Sequence, residues 1–392
     1  GVVSGMVYDI NPTSTPARAM PFANARVYVK DVSSATTNSN GFFCSSEKGK
    51  VIASLQGPFV NVSNFSGPSA HYDNGSGVWS TIGTFVASPH PYANNANLVS
   101  TIDLSAIAPL AVKLLPIFSS FDVGGFEGGE GDSPDITDDD QVTILDALGN
   151  AVGSYIGDRG SFNGAAVHGK SYSLRLRSNA AGQHNGYEVA VSSYLTLSAP
   201  GDWSVSGSSV FWKPEYTATG KRAEINLFYH MNAMHDYFMR DINITSAAYI
   251  GNPVNVIAMM GPSFNGAFYS PDYDNISFGD IDGENVSDAL TDDATVPRHE
   301  YTHYVVQKIW PIQNWGQAGA ISEAVADYFS GSSLNESSIG LYYNTSLGPP
   351  GGALRELDCP AKKACQVYSP AAWHGEIHDD SVFLSQALWE IR

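Results

Sequence analysis

Within the stretch RHEYTHYVV, residues 298–306, two histidines stand four positions apart with a glutamate directly after the first. If residues 298–308 are helical, His299 and His303 lie one turn apart on the same face, so two imidazoles converge on one metal ion. Glu300 then sits beside that ion, close enough to polarise its water. A catalytic zinc takes three protein ligands plus water, so a third ligand is expected downstream. GAISEAVADYFSG supplies Glu323, twenty positions after His303, and Asp327 one helical turn later. Glu323 is therefore expected to bind metal. Asp327 is expected to accept a hydrogen bond from the free ring nitrogen of a ligand histidine, which fixes its tautomer and orientation. The plain alternative is an amphipathic helix with exposed histidines and solvent-facing carboxylates, and it would leave this register to coincidence.

The elements that must position these residues divide along the chain. GVVSGMVYDI and ARVYVKD alternate small or apolar with polar residues, and TTNSNGFF supplies an Asn-Gly turn, so residues 1–110 read as an all-β, sandwich-like region. Residues 111–154 form an acidic, glycine-rich linker with strands. Its GGFEGGEGDSPDITDDD, residues 124–140, is either a solvated boundary loop or a calcium-binding loop. In RAEINLFYHMNAMHDYFMRDI, Leu227, Met231, Met234 and Phe238 recur at helical spacing and predict an amphipathic helix.

Composition narrows the partners. Among 392 residues, Asp and Glu outnumber Lys and Arg 39 to 20, for a formal net charge of −19. A surface that binds nucleic acid or an anionic membrane needs the opposite surplus, so neither is expected as a partner. No apolar run of about 18 residues is present to span a bilayer. The balance suits a protein secreted to the extracellular space. Cys359 and Cys365 flank PAKKA closely enough for a local disulfide, although three small buried thiols, Cys44 included, is the other reading.

HEYTHYVV followed by GAISEAVADYFSG resembles the thermolysin-like and fungalysin-like zinc metallopeptidases, the gluzincins. The likeness covers residues 221–392 and includes NLFYHMNAMHDYF and NGAFYSPDYDNISFGD. It implies an α+β peptidase domain over residues 155–392, binding Zn2+ through His299, His303 and Glu323, with protein or peptide substrates. Glu300 would be the general base. By the same resemblance Ala267 would offer backbone hydrogen bonds to a substrate lying alongside as an added strand. The family's preceding asparagine is replaced by Gly266, with Asn265 one position earlier.

EIHDDSVFLSQALWEIR resembles the segment carrying the family's oxyanion-donating histidine, here His378, with His374 as competitor. Trp373 stands where an orienting aspartate is usual, leaving Glu376, Asp379 or Asp380 to substitute. Asn314 and Trp315 occupy the region of the family's tyrosine. Asp292 and Asp293 are either part of a structural Ca2+ site or an exposed acidic turn.

The chain stops at SQALWEIR, in the middle of an amphipathic pattern, so the resemblance predicts an incomplete C-terminal helical lobe. The missing helices would lie on a cleaved C-terminal segment of the same precursor, with the β-rich region as accessory module or zymogen pro-region. The implied activity is zinc-dependent endopeptidase. An aminopeptidase of the same clan and a catalytically weak binding or adhesion protein on a peptidase scaffold are its rivals.

Overall fold

The computed structural model describes residues 1–8, 18–29, 33–46, 51–64, 71–73, 77–124, 140–149, 151–180, 184–197, 209–212, 221–244, 247–259, 266–271, 274–279, 289–341, 352–359 and 365–392. The stretch 124–140 lies outside these residues except at its ends. Its last residue, Asp140, is buried and accepts hydrogen bonds from Tyr92 Oη at 2.5 Å and Asn179 N at 2.8 Å.

Two cores organise the described chain. One belongs to a β-sandwich. Its first sheet pairs Ala111–Val123 with Gly186–Leu197, and Gly186–Leu197 with Gly77–Ala87; its second runs Ala151–Tyr155, Gln141–Leu145, Ser171–Arg177, Asn97–Asp103. Strict alternation places Tyr172, Leu174 and Leu176 inside, where they meet Phe118, Phe121 and Val189 from the facing sheet. The other core joins N-terminal strands to helices. Val27, Val60 and Val62 pack with Leu227, Met231, Met234 and Phe238 of helix α1, Lys221–Arg240, whose four periodic residues are all buried.

The division expected at residues 110 and 154 is therefore not where the cores separate. Asn97–Asp103 and Ser171–Arg177, on opposite sides of both boundaries, are adjacent strands of one sheet. Val60–Asn64 instead pairs in parallel with Val254–Ala258, deep in the expected peptidase region. The reason is physical: a period-2 pattern reports that a strand has one buried face but not which distant strand it pairs with.

Around the second core lie a one-turn helix α2, Ala247–Ile250; a one-turn helix α3, Ala289–Asp292; and three longer helices. These are α4, Thr295–Ile309, α5, Gly316–Leu334, and α6, Ile377–Glu390. Cys359 and Cys365 form a disulfide, while Cys44 is an exposed free thiol. No helix among the described residues is long and apolar enough to cross a membrane.

The packing of N-terminal strands on α1 generates a test. Phe22 is 1% exposed, with its ring 5.9 Å from Phe228 and 6.2 Å from Tyr229. Phe22→Ala is expected to destabilise the helical unit by about 3–5 kcal/mol, read as a shifted denaturant transition in far-UV circular dichroism. An unshifted helical transition would separate these strands from the helical core.

Candidate active site

Helix α4 is buried along most of its length: Thr295–Thr302, Tyr304 and Val305 are all buried. Its start is fixed by Asp293, whose Oδ1 accepts hydrogen bonds from Thr295 N at 3.1 Å and Thr295 Oγ1 at 2.5 Å. Pro297 falls in the first turn, where its missing N–H leaves no intrahelical bond unmade. Asp292 is paired with Arg222 at 2.6 Å and accepts from Asn226 at 3.0 Å. Both aspartates are fully buried, which overturns the exposed-turn reading; Asp292 instead meets a guanidinium and Asp293 accepts from Thr295 at the start of α4.

Helices α4 and α5 pack against each other and bring the predicted residues together. His299 Nε2 and His303 Nε2 are 3.0 Å apart; Glu323 Oε2 lies 3.1 Å from the first and Oε1 3.2 Å from the second. One ligand atom from each of these three residues falls within 4.8 Å of the others. Two imidazole nitrogens facing each other at such a distance are satisfied when one carries the hydrogen or when both lone pairs meet a shared cation. Glu323 Oε2 is also buried without a hydrogen bond of acceptable geometry. This donor set fits one zinc ion: two imidazoles and a carboxylate, with room for a fourth ligand on the cleft side.

The surroundings favour that charge. Ser322 Oγ lies within hydrogen-bond distance of His303 Nδ1 at 3.0 Å, and Asp327 Oδ1 sits 3.0 Å from His299 Nδ1 as an ion pair not aligned as a hydrogen bond, so each ring has a polar oxygen at the nitrogen facing away from the cluster. Arg355, on the short strand Arg355–Glu356, grips Asp327 with both arms at 2.7 and 2.8 Å, and Ser385 of α6 adds a hydrogen bond at 3.1 Å. Burial works against the Asp327 anion, but Arg355 and His299 outweigh it and hold the carboxyl at about 2. Burial likewise opposes charge on His299, and Glu323 with Asp327 overcomes it, raising the ring to about 10. Glu323 is kept well below the usual carboxylate range, its burial outweighed by the two imidazoles. Glu300 differs: burial pushes its carboxyl up, against the pull of the histidines. With neutral rings, three carboxylates against one guanidinium leave a formal charge of −2, the complement of a divalent cation.

The cluster floors a cleft of about 510 Å³. Ala267, Phe268 and Tyr269 line it, on the strand Ala267–Ser270, which pairs with Asn275–Phe278 and is outermost in its sheet among the described strands. Gly266 O accepts from Gly279 N at 2.8 Å; Asn265 lies outside the described residues. Ile312, Asn314, Trp315 and, at the start of α6, His378 also line the cleft. A Cβ at Gly319 would fall 2.8 Å from Asn314 C and Ile377 Cγ2, so this glycine lets α5, the loop and α6 close on one another. His378 Nε2 is 3.5 Å from Glu323 Oε2. His374 lines a neighbouring pocket instead and is 57% exposed.

Residues 150–307 match the family model described as thermolysin metallopeptidase, catalytic domain. Bacillolysin from Bacillus cereus is 25% identical over 264 residues, 63% of this chain and 43% of that protein. Bacillolysin from Bacillus amyloliquefaciens is 29% identical over 115 residues, 29% of this chain and 22% of its own length. These matches support a thermolysin-like metallopeptidase. A solved structure, the precursor of protealysin, a metalloproteinase from Serratia proteamaculans, is similar at 22% identity and a TM-score of 0.29, over 35% of this chain and 45% of that one. The chain thus spans less than half the length of each of these relatives. The family match contains His299, Glu300 and His303 and ends before Glu323 and Asp327, whose placement beside them is a finding of the geometry.

Sequence reasoning did not find Arg355, Ser322 or Ser385. Ser322 directly precedes Glu323, so its neighbourhood was visible; Arg355 comes from a short strand whose pairing with Ser338–Ile339 has no local signal.

Two outcomes are expected. Asp327→Asn weakens zinc binding about 10- to 100-fold, measured by competition with a chelating dye, because the His299 ring loses its anionic anchor. The second concerns pH. The folded Asp327 carboxyl titrates at about 2, below its ordinary 3.8, so its stabilisation is complete above about pH 4 and is lost as pH falls towards 2. In metal-free protein the stability gap between parent and Asp327→Asn should shrink across that window by on the order of 2 kcal/mol. A gap independent of pH would remove the anionic role.

Proposed function

We propose that this chain is the zinc-binding part of a secreted endopeptidase that hydrolyses protein or peptide substrates. The observation that carries the reading is the convergence of His299 Nε2, His303 Nε2 and a Glu323 oxygen, with buried Glu300 beside them on the cleft wall. Held by these three side chains, zinc would supply Lewis acidity towards the scissile carbonyl and acidify a water molecule.

The chain's own residues do the rest. Glu300 accepts a proton from the attacking water and delivers it to the departing amine; its burial, which favours the protonated form, suits a group that must both take and give. As the outermost strand of its sheet among the described strands, Ala267–Ser270 is placed to take an extended peptide alongside it, aligning the scissile bond over the cluster. His378 also lines the cleft and donates from Nε2 to the oxygen on which negative charge develops. Apolar walls from Phe268, Pro311, Ile312, Trp315 and Ile377 favour apolar side chains in the substrate. Glu300 and Glu323 are the carboxylates lining the cleft among the described residues, and both have roles in this chemistry. That leaves the endopeptidase reading ahead of one needing an acidic anchor for a free amine.

Casein hydrolysis by the zinc-loaded protein tests the reading. Glu300→Ala should retain one zinc and the native circular dichroism spectrum yet lose at least a hundredfold in kcat, in keeping with a base that is not a ligand. His378→Ala should lose on the order of a hundred- to a thousandfold. Parental turnover in Glu300→Ala would overturn the assignment.

A further inference from the structure

We infer that Glu376 is the positioning residue for His378, through a contact that also caps helix α6; the inference rests on the peptidase reading above and names the residue that aims its oxyanion donor. Glu376 Oε1 lies 2.6 Å from His378 Nδ1. Its other oxygen, Oε2, accepts a hydrogen bond from Asp379 N, also at 2.6 Å, and so satisfies one of the free amides of the first turn of α6. One carboxylate thus joins the backbone of the helix to the ring two residues on.

The local chain makes this possible. Gly375 adopts φ +92°, a left-handed conformation that a side chain would strain, and nothing would meet a Cβ there, so the glycine serves the turn and not packing. Glu376 then enters α6 with extended backbone, φ −86° and ψ 115°, the usual state of a cap residue. From that position its side chain folds back over the first turn, where Nδ1 of His378 is within reach.

The contact has a directional consequence. A carboxylate at Nδ1 accepts a hydrogen from that nitrogen; turning the ring over would put carbon against the oxygen and forfeit the bond. Nε2 is therefore left pointing into the cleft, 3.5 Å from Glu323 Oε2. The rival carboxylates are otherwise occupied. Asp380 is buried and accepts from His374 N at 3.3 Å and Gly375 N at 2.8 Å, while Asp379 has a side chain 72% exposed and lies 3.9 Å from His374. Glu376 is the carboxylate at hydrogen-bond distance from Nδ1 among the described residues.

Glu376→Ser separates the two duties. Serine accepts from the same amide as a helix cap but is too short to reach Nδ1. In the zinc-loaded protein the variant should keep the parental unfolding midpoint, lose about 10- to 100-fold in kcat and leave KM within about twofold, the pattern of an interaction made in the transition state. The double variant Glu376→Ser with His378→Ala should be no slower than His378→Ala alone, because both remove one device. Independently of activity, long-range proton–nitrogen NMR should show a hydrogen-bonded Nδ1 proton on His378 in the parent and lose it in Glu376→Ser. Parental kcat or an unchanged Nδ1 proton in Glu376→Ser would overturn the inference while leaving the peptidase reading standing. Full activity in His378→Ala would remove the oxyanion role and this inference with it, whereas absence of hydrolysis in the zinc-loaded parent would remove the peptidase reading itself.

Discussion

The site depends on how the buried Asp327 carboxylate is satisfied. It has no exposure, and it accepts from both arms of Arg355, from Ser385, and stands against His299 Nδ1. An anion taken out of water is tolerable only when its lone pairs are met in this way, and removing one partner of a buried pair typically costs 3–5 kcal/mol. Because those partners come from α4, a short strand and α6, the carboxylate ties three separate parts of the chain to α5. The ring of His299 is oriented as a by-product of a contact the fold already needs.

That arrangement requires helices that approach closely and bury polar groups. Helix α5 presents Gly319, Ala320, Ala324, Ala326 and Gly331 among its buried positions, small residues that leave room for Glu323 and Asp327 to reach inward. It ends where Asn335 takes φ +57°, a left-handed cap with its N–H on the carbonyls of Gly331 and Ser332. A Cβ on Gly331 would lie 2.6 Å from Glu336 O and 3.1 Å from Leu357 Cδ1, so the strand segment that leads to Arg355 could not come as near without it. Packing and electrostatics are thereby one problem with one solution: the small residues admit the guanidinium that makes the buried acid affordable.

How much of this the sequence showed follows from the range of each signal. His299, Glu300, His303, Glu323 and Asp327 were legible because helical spacing converts sequence distance into spatial direction: His299 with His303 and Glu323 with Asp327 each sit one turn apart, and Glu300 directly follows His299. Helix α1 was legible for the same reason. Arg355 was not, since its position depends on a two-residue strand pairing. Glu376 was one of several acids near His378, and the choice among them turned on a glycine's left-handed backbone and on a helix cap. The partition of the β-rich half was also hidden: Val60–Asn64 and Val254–Ala258 are neighbours across nearly two hundred residues, and nothing in either run names the other.

X-ray absorption at the zinc edge, on protein loaded with one equivalent, addresses the central claim most directly. Two imidazole nitrogens at about 2.0–2.1 Å, with the remaining scatterers oxygen at about 2.0–2.2 Å, are the result expected of His299, His303 and Glu323. A third imidazole, which would draw His378 into the coordination shell, or a sulfur scatterer at about 2.3 Å from a cysteine, would contradict the account.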